Sequence, residues 1–239
     1  MKTYEFHSAD SRGTANHGWL QSFHTFSFAN YYNPSRIHFG ALRVLNDDTV
    51  SGGMGFGEHP HDNMEIISIP LEGDLEHKDS MGNTTVIRNG DIQVMSAGTG
   101  IYHSEYNRNK DATVKFLQIW VFPNKKNVTP RYDQITMNPA DRQNQFQQVL
   151  SPNPEDAGVW IHQDAWFHLG KFDQDFSVDY SIKKEGNGLY VFVLSGEFEV
   201  DGQVVQSRDG LGIRQASDVS FKALSPGAEV LLMEVPMQI

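Results

Sequence analysis

The 239-residue sequence contains no cysteine, which excludes both disulfide bonds and thiolate metal ligands. Any metal site must therefore be built from histidine and carboxylate side chains. Basic residues are also few, with 19 lysines and arginines against 30 aspartates and glutamates. The resulting formal charge of -11 argues against a nucleic acid partner and against attraction to anionic lipid.

Long apolar runs are missing as well. No uncharged stretch approaches the roughly 20 apolar residues that a membrane-spanning helix requires. Residues 1–19 lack the apolar segment of a signal peptide. We therefore expect a cytoplasmic protein that has no membrane partner.

The sequence does contain a series of short apolar stretches, such as 64–71, 114–122 and 189–194, which are separated by turn-rich pieces. This pattern is typical of a β-sandwich or β-barrel, so we predict an all-β fold. Within 114–122, Gln118 interrupts the face that carries Phe116. We expect this glutamine either to support a nearby site or to satisfy a backbone group.

The two halves of the chain resemble each other, which indicates a duplication. Residues 70–98 can be aligned with residues 193–217 through shared turn glycines and apolar strands. Extending the alignment outward gives the second half no comparable set of metal ligands. It places the counterparts of His59, His61, His103 and Glu105 near Ile182, Lys184, Ala223 and Ser225, respectively.

The segment 123–158 is rich in proline, asparagine and glutamine and has few apolar runs, so we interpret it as a linker. Within it, Asn138 is a predicted helix N-cap, and Pro139 would occupy the first helical position. The sequence thus predicts one short helix between the halves.

Two residue pairs with i,i+2 spacing are the main chemical signal: His59 with His61, and His103 with Glu105. Alternate residues of a strand project from one face, so each pair can present two ligands to one point. Three neutral imidazoles and a carboxylate suit a first-row transition ion and can leave room for water, dioxygen or substrate. The spacing therefore predicts an open metal site, which indicates chemistry rather than only structure.

The other histidines and the aromatic residues are interpreted mainly as structural. His17 and His24 would line the cavity mouth or pack beneath it. A structural role is also expected for histidines that lack a partner at ligand spacing, namely His7, His38, His77, His162 and His168. An aromatic stripe would pack between the halves or, alternatively, form a wall for a flat substrate; it consists of Phe23, Phe26, Phe28, Tyr31 and Tyr32.

The first histidine pair lies in a segment that closely resembles the first cupin motif, which includes Gly53, His59, His61, Glu65 and Gly73. The second cupin motif is looser and runs from Gly90 to Asn107. Cupins normally take their carboxylate ligand from the position that matches Glu65. Here Glu105 is the closer partner of His103, and this departure resembles the pirins.

The resemblance to pirins extends through nearly the whole chain, including MGFGEHPHDNMEI and MSAGTGIYHSEYN, and is strongest to bacterial pirin-like proteins described as quercetin 2,3-dioxygenases. It implies a bicupin, with two β-barrel (jelly-roll) cupin domains packed face to face and a short helix in the connecting region. We expect a metal-binding domain at 1–135 and a degenerate domain without a metal site at 136–239.

By motif match, the metal ligands are His59, His61, His103 and Glu105, whereas Glu65 would form a salt bridge or stabilise a turn. The resemblance favours Fe(II), although the same donor set accepts Cu, Mn, Ni, Co or Zn. Zinc would be redox-silent. Glu105 is the predicted catalytic residue, as a ligand, as the base for a substrate proton, or as both.

The resemblance implies a metal-dependent dioxygenase that cleaves a flavonol such as quercetin at the 2,3 position, consumes O2 and releases CO. Its partners would be a small planar polyphenol and O2. An alternative is a non-enzymatic, iron-binding, redox-sensing pirin that regulates a protein partner such as a transcription factor. A metal-dependent isomerase or hydrolase on the same scaffold is a third class, because a fold does not determine its reaction.

Overall fold

The computed structural model describes residues 1–239 and is nearly all-β, as predicted. The strands of the first half are β1 (Thr3–His7), β2 (Gly13–Asn16), β3 (Leu20–His24), β4 (Leu42–Val50), β5 (Gly55–His61), β6 (Glu65–Glu72), β7 (Leu75–Asp79), β8 (Thr84–Ile87), β9 (Asp91–Ser96), β10 (Ile101–Asn107), β11 (Val114–Val121) and β12 (Arg131–Thr136). Those of the second half are β13 (Phe146–Ser151), β14 (Val159–Trp160), β15 (Trp166–Phe172), β16 (Ser177–Ser181), β17 (Asn187–Ser195), β18 (Glu197–Val200), β19 (Gln203–Gln206), β20 (Gly210–Arg214), β21 (Asp218–Ala223) and β22 (Ala228–Pro236).

Helical structure is confined to two 3-10 turns, Ala9–Ser11 and Pro139–Arg142. The second turn lies in the connecting region, where the sequence predicts a short helix. Asn138 caps it, because its side-chain oxygen accepts a hydrogen bond from the Ala140 backbone N–H at 3.2 Å. The chain has no helix with the length and apolarity needed to cross a lipid bilayer.

The strands form four sheets, and each half of the molecule is a sandwich of a seven-stranded and a four-stranded sheet. The first half has the orders β12-β9-β6-β11-β4-β3-β2 and β5-β10-β7-β8. The second half has the orders β1-β20-β17-β22-β15-β13-β14 and β16-β21-β18-β19. The sheets do not close into the predicted barrels, because a seven-stranded sheet is wider than its four-stranded partner and their edges do not all pair.

The two sandwiches have the same strand order, apart from the two edge strands of the large sheets. At one edge, β2 precedes β3 and pairs with it antiparallel, whereas β14 follows β13 and pairs with it parallel. The other edge differs in the origin of its strand. In the first large sheet that edge is β12, whereas in the second it is β1, the start of the chain, which pairs with β20. The N-terminal strand thus crosses to the second sandwich and ties the two together. The boundary between residues 135 and 136 stays a prediction.

Strand register identifies the equivalent positions of the two sandwiches. Gly73 and Gly196 both have a φ of 76° and mark the same turn. Counting from this turn through the paired strands, the counterparts of His59, His61, His103 and Glu105 are Tyr180, Ile182, Val219 and Phe221. The positions that the sequence alignment gave were wrong by two or four residues, because turns of different length separate the strands of the two halves.

The apolar clusters show how the sandwiches are filled. The largest cluster, with 25 buried residues, lies between the two large sheets and packs the halves face to face. A second cluster of 16 residues fills the second sandwich. The first sandwich contains only clusters of six and four residues. Its interior is therefore available to polar side chains.

Phe39 is a central contact between the halves. Its ring is 1% exposed and packs edge-on against Tyr190, with 5.4 Å between the ring centroids. Gly188 and Gly212 make room for it, since a Cβ atom at either glycine would lie within 3.0 Å of the ring. The guanidinium of Arg214 lies over the ring at 4.8 Å.

We expect Phe39→Ala to lower the free energy of unfolding by about 3–5 kcal/mol, because it removes a buried ring and leaves a cavity between two rigid sheets. Urea unfolding followed by tryptophan fluorescence measures this loss. Tyr32→Ala is the matched control, since Tyr32 is 74% exposed and should change the midpoint little. Equal midpoints for Phe39→Ala and the wild-type protein would contradict the assigned role of Phe39.

Candidate metal centre

The two predicted ligand pairs lie on neighbouring antiparallel strands. In β5 and β10, His103 is directly opposite His59, and Ile101 is opposite His61. Along β10 the side chains alternate, so that His103 and Glu105 are buried between exposed tyrosines. The i,i+2 spacing therefore directs both side chains of β10 into the first sandwich.

Three imidazoles converge at this place. Ring nitrogens of His59, His61 and His103 lie within 4.8 Å of one another, and their ring centroids are 4.4–4.9 Å apart. A second group shares His103 and joins it to Glu105 and His77, again with donor atoms within 4.8 Å of one another. The structure thus brings His59, His61 and His103 into one group. It places Glu105 beside His103, in a second group that also contains His77 and does not include His59 or His61.

The donor atoms of these histidines fit a divalent transition ion. The Nδ1–H of His59 donates a hydrogen bond to the Gly57 carbonyl at 2.7 Å, which leaves its Nε2 lone pair free. Both ring nitrogens of His103 are buried without a hydrogen-bond partner. Buried polar atoms without partners are costly, and a bound ion would satisfy one of these nitrogens.

Electrostatics also favours neutral imidazoles at this site. Burial, reinforced by the neighbouring histidines, lowers the pKa of His61 to about 4 and that of His103 to about 3. Both rings are therefore uncharged near neutral pH and can donate a lone pair to a cation.

Hydrogen bonds from two other strands hold the Glu105 carboxylate. Its Oε1 accepts a bond from the Ser68 hydroxyl on β6 at 3.1 Å, and its Oε2 accepts one from the Gln118 amide on β11 at 2.9 Å. Glu105 is 1% exposed, so these bonds compensate for its removal from water. Of the two explanations for Gln118, the structure selects support of the site.

Ser68 and Gln118 belong to a row of polar residues that crosses the large sheet of the first sandwich. Its members are direct neighbours in register on six adjacent strands: His24, Asn46, Gln118, Ser68, Gln93 and Gln134. In the second sandwich the positions matching Ser68 and Gln118 are Val191 and Leu232, which belong to its apolar cluster. The polar interior is therefore specific to the first sandwich.

Another buried carboxyl group lies near this row. The Ser22 hydroxyl donates a hydrogen bond to Asp48, and burial raises the pKa of Asp48 to about 7, with a smaller contribution from the charge of Glu105. His24 is 3% exposed and its Nδ1 lies 2.9 Å from the Asn46 side-chain oxygen. Of the two positions expected for His24, the structure shows the one inside the sandwich.

His77 lies inside the site, although its sequence context was interpreted as structural. It is fully buried on β7, opposite Glu105 in register, and its ring contacts Tyr132 with 4.8 Å between centroids. Its Nε2 lies 3.0 Å from the Asp79 carboxylate. The premise that His77 lacks a partner at ligand spacing was wrong, because His77 and Asp79 show the same i,i+2 spacing as the two predicted pairs.

Glu65 lies outside this cluster. On β6, Ile66 points into the first sandwich, whereas Ile67 belongs to the core between the halves. Glu65 lies on the same side of the strand as Ile67 and therefore points away from the cluster. Its Oε2 accepts a hydrogen bond from the Ser96 hydroxyl at 2.6 Å. Burial raises the pKa of Glu65 to about 7, although this bond and the charge of Arg131 oppose the shift.

The predicted aromatic stripe divides between packing and the site. Phe26 is part of the core between the halves, whereas Tyr32 is exposed. Phe28 packs edge-on against Trp120 at 5.4 Å, and Trp120 packs against His61 at 4.9 Å between centroids. Phe28 and Trp120 thus form an aromatic wall beside the histidine cluster.

A cavity with a volume of about 1250 Å³ lies at the junction of the halves. Most of the residues that line it are polar, among them Asn63, Gln163 and Arg214. None of the clustered histidines lines it. The candidate site is therefore defined by its donor atoms and not by cavity size.

Comparison with known families gives two matches that together cover most of the chain. The family model described as Pirin matches residues 5–121, and the one described as Quercetinase C-terminal cupin domain matches residues 148–235. The Pirin match includes the residues of both donor groups, His59, His61, His77, His103 and Glu105.

Individual relatives match over nearly their full length. A quercetin 2,3-dioxygenase of Escherichia coli (strain K12) is 43% identical over 95% of this chain and 96% of its own. A pirin-like protein of Caulobacter vibrioides is 37% identical over 94% and 96%, respectively. The crystal structure of the bacterial pirin YhhW from Escherichia coli in complex with nickel(II) has a TM-score of 0.93 and 40% identity, and covers 99% of this chain and 100% of the other.

We expect His103→Ala to abolish stoichiometric metal binding, because this residue belongs to both donor groups. The fold should be kept, because His103 belongs to none of the apolar clusters. Metal content after loading and desalting, measured by mass spectrometry, checks this expectation. His17→Ala is the control, since His17 is exposed and lies outside both groups. Full metal content in His103→Ala would refute the assignment of His103 as a ligand.

Proposed function

Since the chain belongs to the pirin family, we propose that it is a metal-dependent dioxygenase that cleaves a flavonol such as quercetin at the 2,3 position. One observation carries the proposal: the imidazoles of His59, His61 and His103 converge inside the first sandwich, and the buried carboxylate of Glu105 lies beside His103. The equivalent positions of the second sandwich hold Tyr180, Ile182, Val219 and Phe221 instead.

The names of the relatives support this choice of reaction. The Escherichia coli relative is a quercetin 2,3-dioxygenase, and its solved counterpart contains nickel(II). We propose one divalent ion at the donor set of the first sandwich, with Fe(II) as the first choice. Relatives named as dioxygenases do not favour the regulatory alternative. A protein partner, the cytoplasmic location and the absence of a nucleic acid partner stay predictions.

His59, His61, His103 and Glu105 would hold the ion, with three imidazole nitrogens and one carboxylate oxygen as donors. A redox-active divalent ion supplies Lewis acidity that favours the anion of a bound flavonol, and an electron-rich anion can react with O2. The protein supplies donors in a fixed arrangement, since Gly57 orients His59 and Ser68 and Gln118 orient Glu105.

Glu105 is the residue best placed to handle a proton. Ser68 and Gln118 donate hydrogen bonds to both of its oxygens, which fixes the position of the side chain. A carboxylate oxygen can then accept the 3-hydroxyl proton of a flavonol that lies within hydrogen-bond reach. We therefore assign Glu105 as the catalytic base, in addition to its place among the metal ligands.

The substrate would approach from the β5 side of the site. His59 and His61 are partly exposed, whereas His103 and Glu105 are buried, so the cluster opens toward β5. Trp120 and Phe28 offer flat apolar surface next to His61. A planar polyphenol can pack against these rings while its oxygen atoms face the cluster.

The reaction consumes one O2 for each flavonol, places both oxygen atoms in the opened product and releases the excised carbon as CO. We expect protein reconstituted anaerobically with Fe(II) to consume O2 and release CO in equal amounts when quercetin is added. An oxygen electrode and the absorbance of a CO-binding haem protein measure both gases in one sample.

The Glu105→Gln variant keeps the size of the side chain and should keep much of the bound metal. We expect its turnover to fall by roughly 100-fold or more, because the substitution removes the base.

His103→Ala is the control that separates metal-dependent turnover from autoxidation of quercetin. No turnover by fully loaded protein with iron, copper or manganese would contradict the dioxygenase proposal and favour the regulatory alternative. Conversion of a substrate under strict anaerobiosis would instead indicate the isomerase or hydrolase class. Unchanged turnover in Glu105→Gln would contradict the role of Glu105 as the base.

A further inference from the structure

His77 and Asp79 form a buried pair next to the cluster that the proposed metal site does not use. Both side chains are at most 1% exposed. Asp79 is anchored on its other side, because its oxygens accept hydrogen bonds from the Met81 and Asn83 backbone N–H groups and from the Asn83 amide. The carboxylate therefore has a fixed position from which it can orient His77.

The hydrogen bond to Asp79 determines which nitrogen of His77 carries the proton. A carboxylate can only accept, so the His77 Nε2, 3.0 Å away, must be the donor. In the neutral ring the Nδ1 is then an acceptor. This Nδ1 is buried and has no hydrogen-bond partner.

His103 has the complementary need. If one of its nitrogens binds a cation, the other carries a proton and requires an acceptor, and both nitrogens are buried without one. No hydrogen bond joins His103 to its other neighbours. The Glu105 oxygens accept bonds from Ser68 and Gln118 and would also bind the ion, and the His59 Nδ1–H is itself a donor to Gly57. The ring of His77 lies 5.4 Å from that of His103 between centroids.

We propose that His77, oriented by Asp79, is a positioning residue of the metal centre that accepts a hydrogen bond from the His103 imidazole, directly or through one water. The inference rests on the proposed metal site but not on the proposed reaction. Partners of this kind fix the ring orientation and the tautomer of a metal-binding histidine. The Asp79–His77 pair would thereby set the affinity of the site.

The second sandwich gives an independent indication that packing does not require a histidine at this position. Counting from Gly73 and Gly196, the counterpart of His77 is Val200, which is fully buried in an apolar cluster. The fold therefore accepts an apolar side chain here. A histidine with an unpartnered nitrogen is costly in the same place unless it has a partner within the site.

The test is the affinity of the metal-free protein for Co(II), measured by competition with a chromophoric chelator, together with the visible absorption of bound Co(II). We expect His77→Val to bind one Co(II) with roughly 10–100-fold weaker affinity and an altered spectrum. His77→Gln should recover part of the affinity, because its amide can donate to Asp79 and accept from His103. His168→Val, which removes a buried histidine from the second sandwich, is the matched control and should leave both readouts unchanged.

Asp79→Asn provides a second variant in case His77→Val does not fold. Its oxygen can still accept from the Met81 and Asn83 backbone, but its amide would donate to the His77 Nε2 and shift the ring proton to Nδ1. The acceptor for His103 would be lost, so we expect a decrease in affinity similar to that of His77→Val. Circular dichroism and urea midpoints identify variants that have lost their fold.

Wild-type affinity and spectrum in a folded His77→Val or Asp79→Asn variant would overturn the proposal. Loss of stoichiometric binding in His77→Val and His77→Gln alike would make His77 a ligand and also overturn the positioning role. A wild-type protein that binds no Co(II) would refute the metal site itself, together with this inference. The test measures Co(II) binding and not quercetin turnover, so its result can be interpreted even if the proposed reaction fails.

Discussion

The hydrogen bonding of buried polar groups inside the first sandwich is the constraint on which the rest of the structure depends. Glu105, His103 and His77 are each at most 2% exposed, so each must find partners within the protein, in an ordered water or in a bound ion. Ser68 and Gln118 satisfy the carboxylate, and Asp79 satisfies one nitrogen of His77. The nitrogens that remain unpaired point to a cation.

The duplicated architecture explains how the protein tolerates such an interior. The second sandwich has an apolar cluster of 16 residues, and the two large sheets share a cluster of 25, so most of the buried apolar packing lies outside the interior of the first sandwich. Strand β1 and the ring of Phe39 connect the halves further. One sandwich can therefore serve as a scaffold while the other holds a site that is costly to bury.

The predictable part of the site follows from local spacing. His59, His61, His103 and Glu105 are found by the period of two along single strands, and Gln118 is found as the interruption of an apolar face. The contacts of Ser68 depend on which distant strands become neighbours and in which register, so spacing alone does not place it. His77 and Asp79 show the same period of two, but that spacing does not reveal that β7 pairs with β10 and brings His77 beside His103. The counterparts of the ligands in the second half were misplaced because sequence alone does not reveal the lengths of the turns. The crossing of β1 to the second sandwich was not predicted because sequence alone does not reveal which strands pair at the edge of a sheet.

The most direct test of the central claim is anomalous X-ray diffraction from crystals of the protein loaded with Fe(II) or Ni(II). A single strong peak is expected inside the first sandwich, within roughly 2.0–2.2 Å of a nitrogen of His59, His61 and His103 and of an oxygen of Glu105. The equivalent place beside Tyr180 and Phe221 should show none. A peak that lies elsewhere, or a loaded crystal without a peak among these four residues, would contradict the assignment of the first sandwich as the metal centre.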